Sequence, residues 1–389
     1  MSSLSTDVRL QPHTERLCQT LVGFGVLVLS VGFILAPDRA WGNLLVVSFG
    51  LVGLGLGGAI FLAMHELAGA GWATALRRVP ESMFMMLPVG GIGMLLILVF
   101  RPAMYPWTNP GPELSHLMGG FKGLWLNRPF FLLRGVIYLV VWYFLARKLV
   151  MHSRKQDDGD HRGGNGRTAA LFVVVFGVTF CLASFDWIMS LEPEWFSTIF
   201  GLYNFSGMFV AALALMTLQS IWLRRRGGFL GVLSGEHLHD LGKLMMAFTT
   251  FWAYIHFSQY MLIWYANVPE ETGYYILRSD GAWGSLFLLN VAVNWLVPFL
   301  VLLPVQAKRS SSVMAKVAAL LLVGRWLDLY LMVMPVVSGG RGPQMGIWEI
   351  GLFAGAIGLV SLLMVRGLRS AALVPMNDPR LQQSLHYHS

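Results

Sequence analysis

Apolar residues run through this chain in ten long blocks separated by short polar stretches. The blocks fall at about Leu17–Ala36, Gly42–Met64, Met83–Phe100, Pro129–Ala146, Thr168–Trp187, Phe196–Trp222, Leu241–Trp264, Gly281–Leu303, Ser312–Met334 and Trp348–Val365. Each is near the roughly 20 residues that a helix needs to cross a 30 Å hydrocarbon core. The pattern predicts an all-α polytopic membrane protein: ten transmembrane helices in a single integral membrane domain over residues 1–389. Block three is short and carries Pro88 with Gly90, Gly91 and Gly93, and block eight contains Pro298. Both predict kinked helices, which a membrane tolerates when neighbours satisfy the freed backbone groups.

Composition agrees with the pattern. The chain is 56% hydrophobic and 12% charged, with 25 Phe and 14 Trp; a soluble domain is typically about 25% charged. No soluble domain of useful size fits between the blocks. The net charge of +8 suggests nucleic acid until it is mapped, and then it reports topology. The N-terminus, the even-numbered loops and the C-terminal tail hold 18 Lys/Arg, while the odd-numbered loops hold 6. The positive-inside rule therefore expects both termini on the cytoplasmic side, and the resemblance given below implies that the membrane is a bacterial inner membrane. The first 16 residues carry Asp7, Arg9, Glu15 and Arg16, and no cleavage site follows, so block one reads as a retained anchor. Arg147–Arg167, basic and Gly-rich, reads as a flexible cytoplasmic loop. Arg101–Arg128 should lie outside, with Tyr105, Trp107 and Trp125 anchoring at the interface or docking a partner. The run Gly53–Gly58 favours close helix packing and has no P-loop lysine.

Among the ionisable residues within the blocks or at their ends, the candidates for function are His65, Glu66, Asp186, His256, Arg325 and Asp328. A charge in hydrocarbon is costly, so such groups face a bundle interior or a water-filled path. At about 1.5 Å per residue, His65 and Glu66 fall near the cytoplasmic face, Asp186 and His256 in the outer half, and Arg325 near the middle with Asp328 beyond it. Arg325 and Asp328 are spaced i,i+3 and share a helix face. His256 titrates near physiological pH before any perturbation, and Tyr254, Ser258 and Gln259 place hydroxyl and amide groups near it. Asn290 and Asn294 share a face at i,i+4. Each residue also has a plain structural reading, as a paired core group, an interfacial helix end or interhelical glue. Taken as a set, they suit a bundle that carries a proton path or handles quinone, and they suit a transporter as well. Bis-histidine haem ligation is disfavoured, because His65 and His256 fall on opposite sides of the midplane. Cys18 and Cys181 are too few for an iron–sulfur site, and no CxxCH haem-attachment motif exists.

Two blocks resemble a known family. They are Ser184–Thr198, with Asp186-Trp187 and Glu192-Pro193-Glu194-Trp195, and Gly242–Thr272, with Tyr254 to Tyr260 and Trp264-Tyr265-Ala266-Asn267. Both are similar to the NrfD-like integral membrane subunits of bacterial alternative complex III, a quinol:cytochrome c or electron-carrier oxidoreductase, and the length suits the shorter, ActF-type subunit. The resemblance implies two four-helix bundles, blocks two to five and six to nine, with blocks one and ten peripheral. It implies a non-redox subunit that binds no cofactor itself and offers a scaffold and a proton path. Quinol or menaquinol would be oxidised in the complex, with haem c and iron–sulfur clusters in partner subunits. The implied partners are the larger NrfD-like subunit, an iron–sulfur protein, multihaem cytochrome c subunits, lipids and a terminal oxidase, with no nucleic acid. Glu192, Glu194, Glu270 and Glu271 would offer acids to extracytoplasmic partners. An independent secondary transporter and a purely structural scaffold are the alternatives; a transporter would be expected to show an internal repeat, and none is visible.

Overall fold

The computed structural model describes residues 8–155, 165–227, 232–375, 377–378 and 380–387. Among these, all regular structure is helical, and nine helices are long and apolar enough to cross a membrane. The protein is therefore a multi-pass membrane protein. In chain order the main helices are α1 (Pro12–Leu35), α2 (Pro37–Ala68), a short α3 (Arg78–Met83), α4 (Met86–Phe100), α5 (Arg128–Lys155), α6 (Gly166–Trp187), α7 (Phe200–Arg225), α8 (Gly235–Ala266), α9 (Pro269–Ser279), α10 (Gly281–Val291), α11 (Val297–Leu302), α12 (Ser311–Val337), α13 (Ile347–Leu368) and α14 (Leu381–Leu385). Helices α3 and α4 form one crossing, as do α10 and α11.

Three helices make the centre. The apolar windows of α2, α7 and α12 are 78%, 83% and 72% buried, against 22% for α1. Helix α2 packs on α4, α6, α7 and α12, and α7 packs on α6, α8 and α12. Glycine sets the spacing. A Cβ at Gly25 of α1 would stand 2.8 Å from the Gly355 Cα of α13, so these backbones touch as small-residue membrane helices do. Gly57 faces Ala212 of α7, and Gly90 faces the Val52 backbone.

Helix ends follow their local chemistry. Gly69 ends α2 in the left-handed region at φ 60, where a residue without a Cβ is favoured. Crossing three breaks at Phe84 and Met85, ahead of Pro88, which sits in the first turn of α4. Proline is tolerated there because its missing N–H would have had no helical partner. Crossing eight does carry a defect: a π-turn, Ala292–Leu296, precedes Pro298. Arg147–Arg167 is only partly loop. Helix α5 continues to Lys155 and α6 begins at Gly166, and the flexible stretch expected over 156–164 lies outside the described residues. The basic end of α5 suits the negative end of its helix dipole; Ser153 and Arg154 there reach Glu81.

Both ends of the chain come to one face. Arg226 Nη1 donates to the Arg9 carbonyl at 3.0 Å, Arg369 Nε to the Val8 carbonyl at 2.8 Å, and Arg380 pairs with Glu66 at 2.7 Å. We call this the terminal face. Arg134, Asp186, Glu192, Arg278 and Glu349 lie toward the opposite face.

Candidate functional site

The deepest polar cluster joins α7, α10 and α12. Asp328 is 1% exposed. Its Oδ2 accepts from Arg325 Nη1 at 2.5 Å, and its Oδ1 accepts from the Tyr203 hydroxyl and, at 3.1 Å, from Asn290 Nδ2. Arg325 Nη2 donates to Asn204 Oδ1 at 3.0 Å. Arg325 lies 14 residues into α12, about 21 Å along the helix, so the pair is deep in the bundle. The π-turn builds one wall: Asn294 within it donates to Asn290 Oδ1 at 2.7 Å and to the Gly324 carbonyl at 3.0 Å. Gly324 is required here, since a Cβ would stand 2.6 Å from Asn294 Oδ1.

His256 on α8 closes the other side. Its ring stacks on Trp252 at 5.0 Å and lies 5.6 Å from Tyr203 and 5.2 Å from Phe287. His256 Nε2 and Gln259 Oε1 are buried without a hydrogen-bond partner. Both residues line a cavity of about 20 Å³ together with Tyr203, Asn290, Asp328 and Arg278. That space admits one water molecule with several polar partners, and buried polar groups are nearly always satisfied. Toward the opposite face the cavity meets Arg278, which pairs with Glu192 at 2.5 Å and donates to the carbonyls of Tyr274, Leu331 and Met332. Polar groups thus run from the Arg325–Asp328 pair through one water-sized space to Glu192.

Asp186 belongs to a different cluster. It is 1% exposed, and all four acceptor positions of its carboxylate are taken. Oδ1 accepts from Arg134 Nη2 at 2.8 Å and Trp125 Nε1 at 2.9 Å; Oδ2 accepts from Arg134 Nε at 2.9 Å and the Tyr138 hydroxyl at 3.0 Å. The guanidinium also lies 4.0 Å from the Trp125 ring centroid. A carboxylate offers about four acceptor sites, so Asp186 has none left. Asp186 ends its helix, as the sequence indicates, and there it is the buried half of a forked ion pair joining α5 and α6. The expected interface anchors Tyr105 and Trp107 are likewise buried, packed on Phe131. Burial pushes the Tyr105 hydroxyl up from its ordinary value, and it donates to the Trp187 carbonyl at 3.1 Å.

At the terminal face, His65 Nδ1 bonds the Phe61 carbonyl at 2.8 Å and its ring stacks on Phe61 at 3.9 Å. Glu66 accepts from Arg380 and from the Asn165 backbone N–H at 3.1 Å. Next to them Glu81, 1% exposed, takes Arg78 at 2.6 Å and Ser153, while Arg77 binds Asp378. This network ties α2, α3, α5 and the C-terminal segment together.

The structure therefore brings Tyr203, His256, Arg325 and Asp328 into one neighbourhood, sets Asp186 apart from them, and does not join His65 and Glu66 to either. Tyr254 is 64% exposed and points away from His256. Of the polar neighbours expected there, Gln259 lines the cavity. Sequence reasoning missed Tyr203, Asn204, Glu81 and the Arg278–Glu192 pair. Tyr203 and Asn204 are polar residues inside an apolar block, which was the available signal. Among the described residues no three His, Cys, Asp or Glu side chains gather as a metal site. No family model matches the chain, and no curated protein matches it either.

Proposed function

We propose that this chain is the cofactor-free, non-redox membrane subunit of a quinol-oxidising electron-transfer complex of the NrfD-like type. In this reading it serves as a scaffold and as a proton half-path opening on the face opposite the termini. One observation carries the path: Asp328, paired deep in the bundle, borders a water-sized space that holds the unpartnered His256 Nε2 and Gln259 Oε1. Among the described residues Asp328 Oδ2 accepts only from Arg325, so it keeps a site for a water donor, whereas Asp186 has none. Protons would pass between Asp328, His256 and Tyr274 at the cavity and leave past Glu192.

The two blocks that resemble alternative complex III subunits support the partner assignment. The first of them packs on the helix that follows the second: Trp195 stacks on Tyr274 at 3.8 Å, and Glu192 binds Arg278. Helix α8 is proposed as a tenth crossing. It is 32 residues long, and Phe257, Leu262 and Trp264 on its outer side are at least 60% exposed, as a lipid-facing side requires. The helix contacts are compatible with the two-bundle grouping. The basic terminal face is assigned to the cytoplasm by the positive-inside rule, in a bacterial inner membrane.

The test is purification of the tagged chain from its native membrane. The reading expects co-purifying multihaem and iron–sulfur proteins, with a c-type haem spectrum and quinol oxidation. A chain that isolates alone and catalyses solute exchange in vesicles would instead establish the transporter. In the assembled complex, Asp328→Asn and His256→Ala should slow any proton uptake coupled to quinol oxidation. Normal rates in both variants would leave only the scaffold.

A further inference from the structure

The short helix Gly120–Trp125, between α4 and α5, has two unlike sides. Phe121 and Leu124 stand three residues apart, so they share one side, and they are 75% and 73% exposed. The other side is engaged with the protein. Lys122 Nζ donates to the Pro193 carbonyl, and Trp125 Nε1 donates to Asp186 Oδ1 at 2.9 Å. Tyr105 and Trp107 are buried, and Trp125 commits its N–H to Asp186. The anchoring expected of these three aromatics is therefore open to two other residues of the same segment.

The height of the short helix and its neighbours identify what covers its apolar side. Arg134 lies six residues into α5, or about 9 Å. Its guanidinium is 4.0 Å from the Trp125 ring centroid and donates to the Trp125 carbonyl. The short helix therefore lies beside the first two turns of α5, not beyond its end. There it meets the outer side of α5: the Trp125 ring is 5.8 Å from Phe121 and 5.8 Å from Phe130. Phe130 begins a stripe of exposed apolar residues, with Leu133, Ile137, Val140 and Phe144, in steps of three and four along this membrane crossing. Such a stripe is the lipid-facing side of a helix. Phe121 joins it through the Trp125 ring, Leu124 stands beside Phe121, and Lys122, the one charged residue of the short helix, turns the other way. An interfacial helix buries its apolar face about 5–10 Å into the boundary of headgroups and acyl chains, which matches this position. We propose that Gly120–Trp125 is an interfacial anchor, with Phe121 and Leu124 inserted among the acyl chains of the leaflet opposite the terminal face.

The test places a nitroxide on the full chain, carrying Cys18→Ala and Cys181→Ala, in vesicles of phosphatidylethanolamine and phosphatidylglycerol. Collisions with oxygen, which concentrates in hydrocarbon, are compared with those of a water-soluble nickel chelate. Two reference positions set the limits: Ile137→Cys on the lipid-facing stripe, and Gly111→Cys in the open loop before the helix. Labels at Phe121→Cys and Leu124→Cys should collide more often with oxygen than with the chelate, as at Ile137→Cys. Leu124→Asp should shift the label at position 121 toward the Gly111→Cys value. Chelate collisions at 121 and 124 equal to those at 111 would overturn the proposal and leave a water-exposed loop. Few collisions with either reagent would overturn it too, in favour of a protein partner. Both side chains stand clear of the core, and if one labelled variant fails to insert, the other decides.

Discussion

Removing one charge of the Arg325–Asp328 pair should damage the protein more than removing both. Asp328→Asn keeps an oxygen for the Tyr203 and Asn290 donors but takes the anion from Arg325, which is 6% exposed and left with Asn204 as its side-chain partner. Breaking a buried pair from one side costs about 3–5 kcal/mol, because the remaining charge is stranded. Arg325→Met strands Asp328 in the same way, at a similar cost. The double variant Arg325→Met/Asp328→Asn buries no charge. Its main loss is the donor to Asn204 Oδ1, about 1–3 kcal/mol for an acceptor left unsatisfied. The three variants and the wild type form a double-mutant cycle, read as unfolding midpoints of the purified protein in detergent. The double variant should be more stable than either single one. Additive destabilisation, or an Asp328→Asn variant as stable as wild type, would refute the argument that this pair is buried and coupled. The same double variant separates fold from function: a stable protein that has lost proton uptake assigns Asp328 to the path.

Two other perturbations probe separate links. Gly355→Leu should loosen α1 from α13 by about 1–3 kcal/mol, since its side chain would drive into the Gly25 backbone; hydrogen exchange should rise across α1 and stay unchanged in α7. At the start of α8, His237 is 1% exposed, its Nδ1 accepting from the Ser234 backbone N–H at 3.2 Å and its Nε2 bonding Ser384 Oγ at 3.1 Å. Burial holds its pKa below the usual 6.5, against the opposing pull of Asp240 and Glu236. Folding therefore favours the neutral ring, and its stabilising contribution is lost as pH falls from about 6.5 toward the lowered folded value. Hydrogen exchange over residues 380–387 should increase in that window, and His237→Ala should remove the pH dependence.

The crossings were legible because a membrane helix carries its signal in composition and length alone. Their ends were less so: α5 runs nine residues past Ala146, since the hydrocarbon boundary is not the helix boundary. Spacing within one helix was also legible. Arg325 and Asp328 pair as i,i+3 predicts, and Asn290 and Asn294 bond as i,i+4 predicts. Which helix supplies the partner was not, because apolar blocks carry no register between them. Depth grouped Asp186 with Asp328, yet they lie in separate clusters, one against Arg134 and one against Arg325. Distinguishing a saturated carboxylate from one with a spare acceptor site requires coordinates.

That distinction also gives the proposed path its one-sidedness. Above the Arg325–Asp328 pair, toward Glu192, polar groups follow one another at hydrogen-bond distance or across one water-sized space. Below it, the buried faces of α2 from Phe49 to Ala63, of α7 from Gly207 to Met216 and of α12 from Val317 to Gly324 contain no polar side chain. In the proposed function, such a chain would exchange protons with the face of Glu192. Any charge balance across the whole membrane would then have to be completed by another subunit, which is the division of labour expected of a component that acts only within a complex.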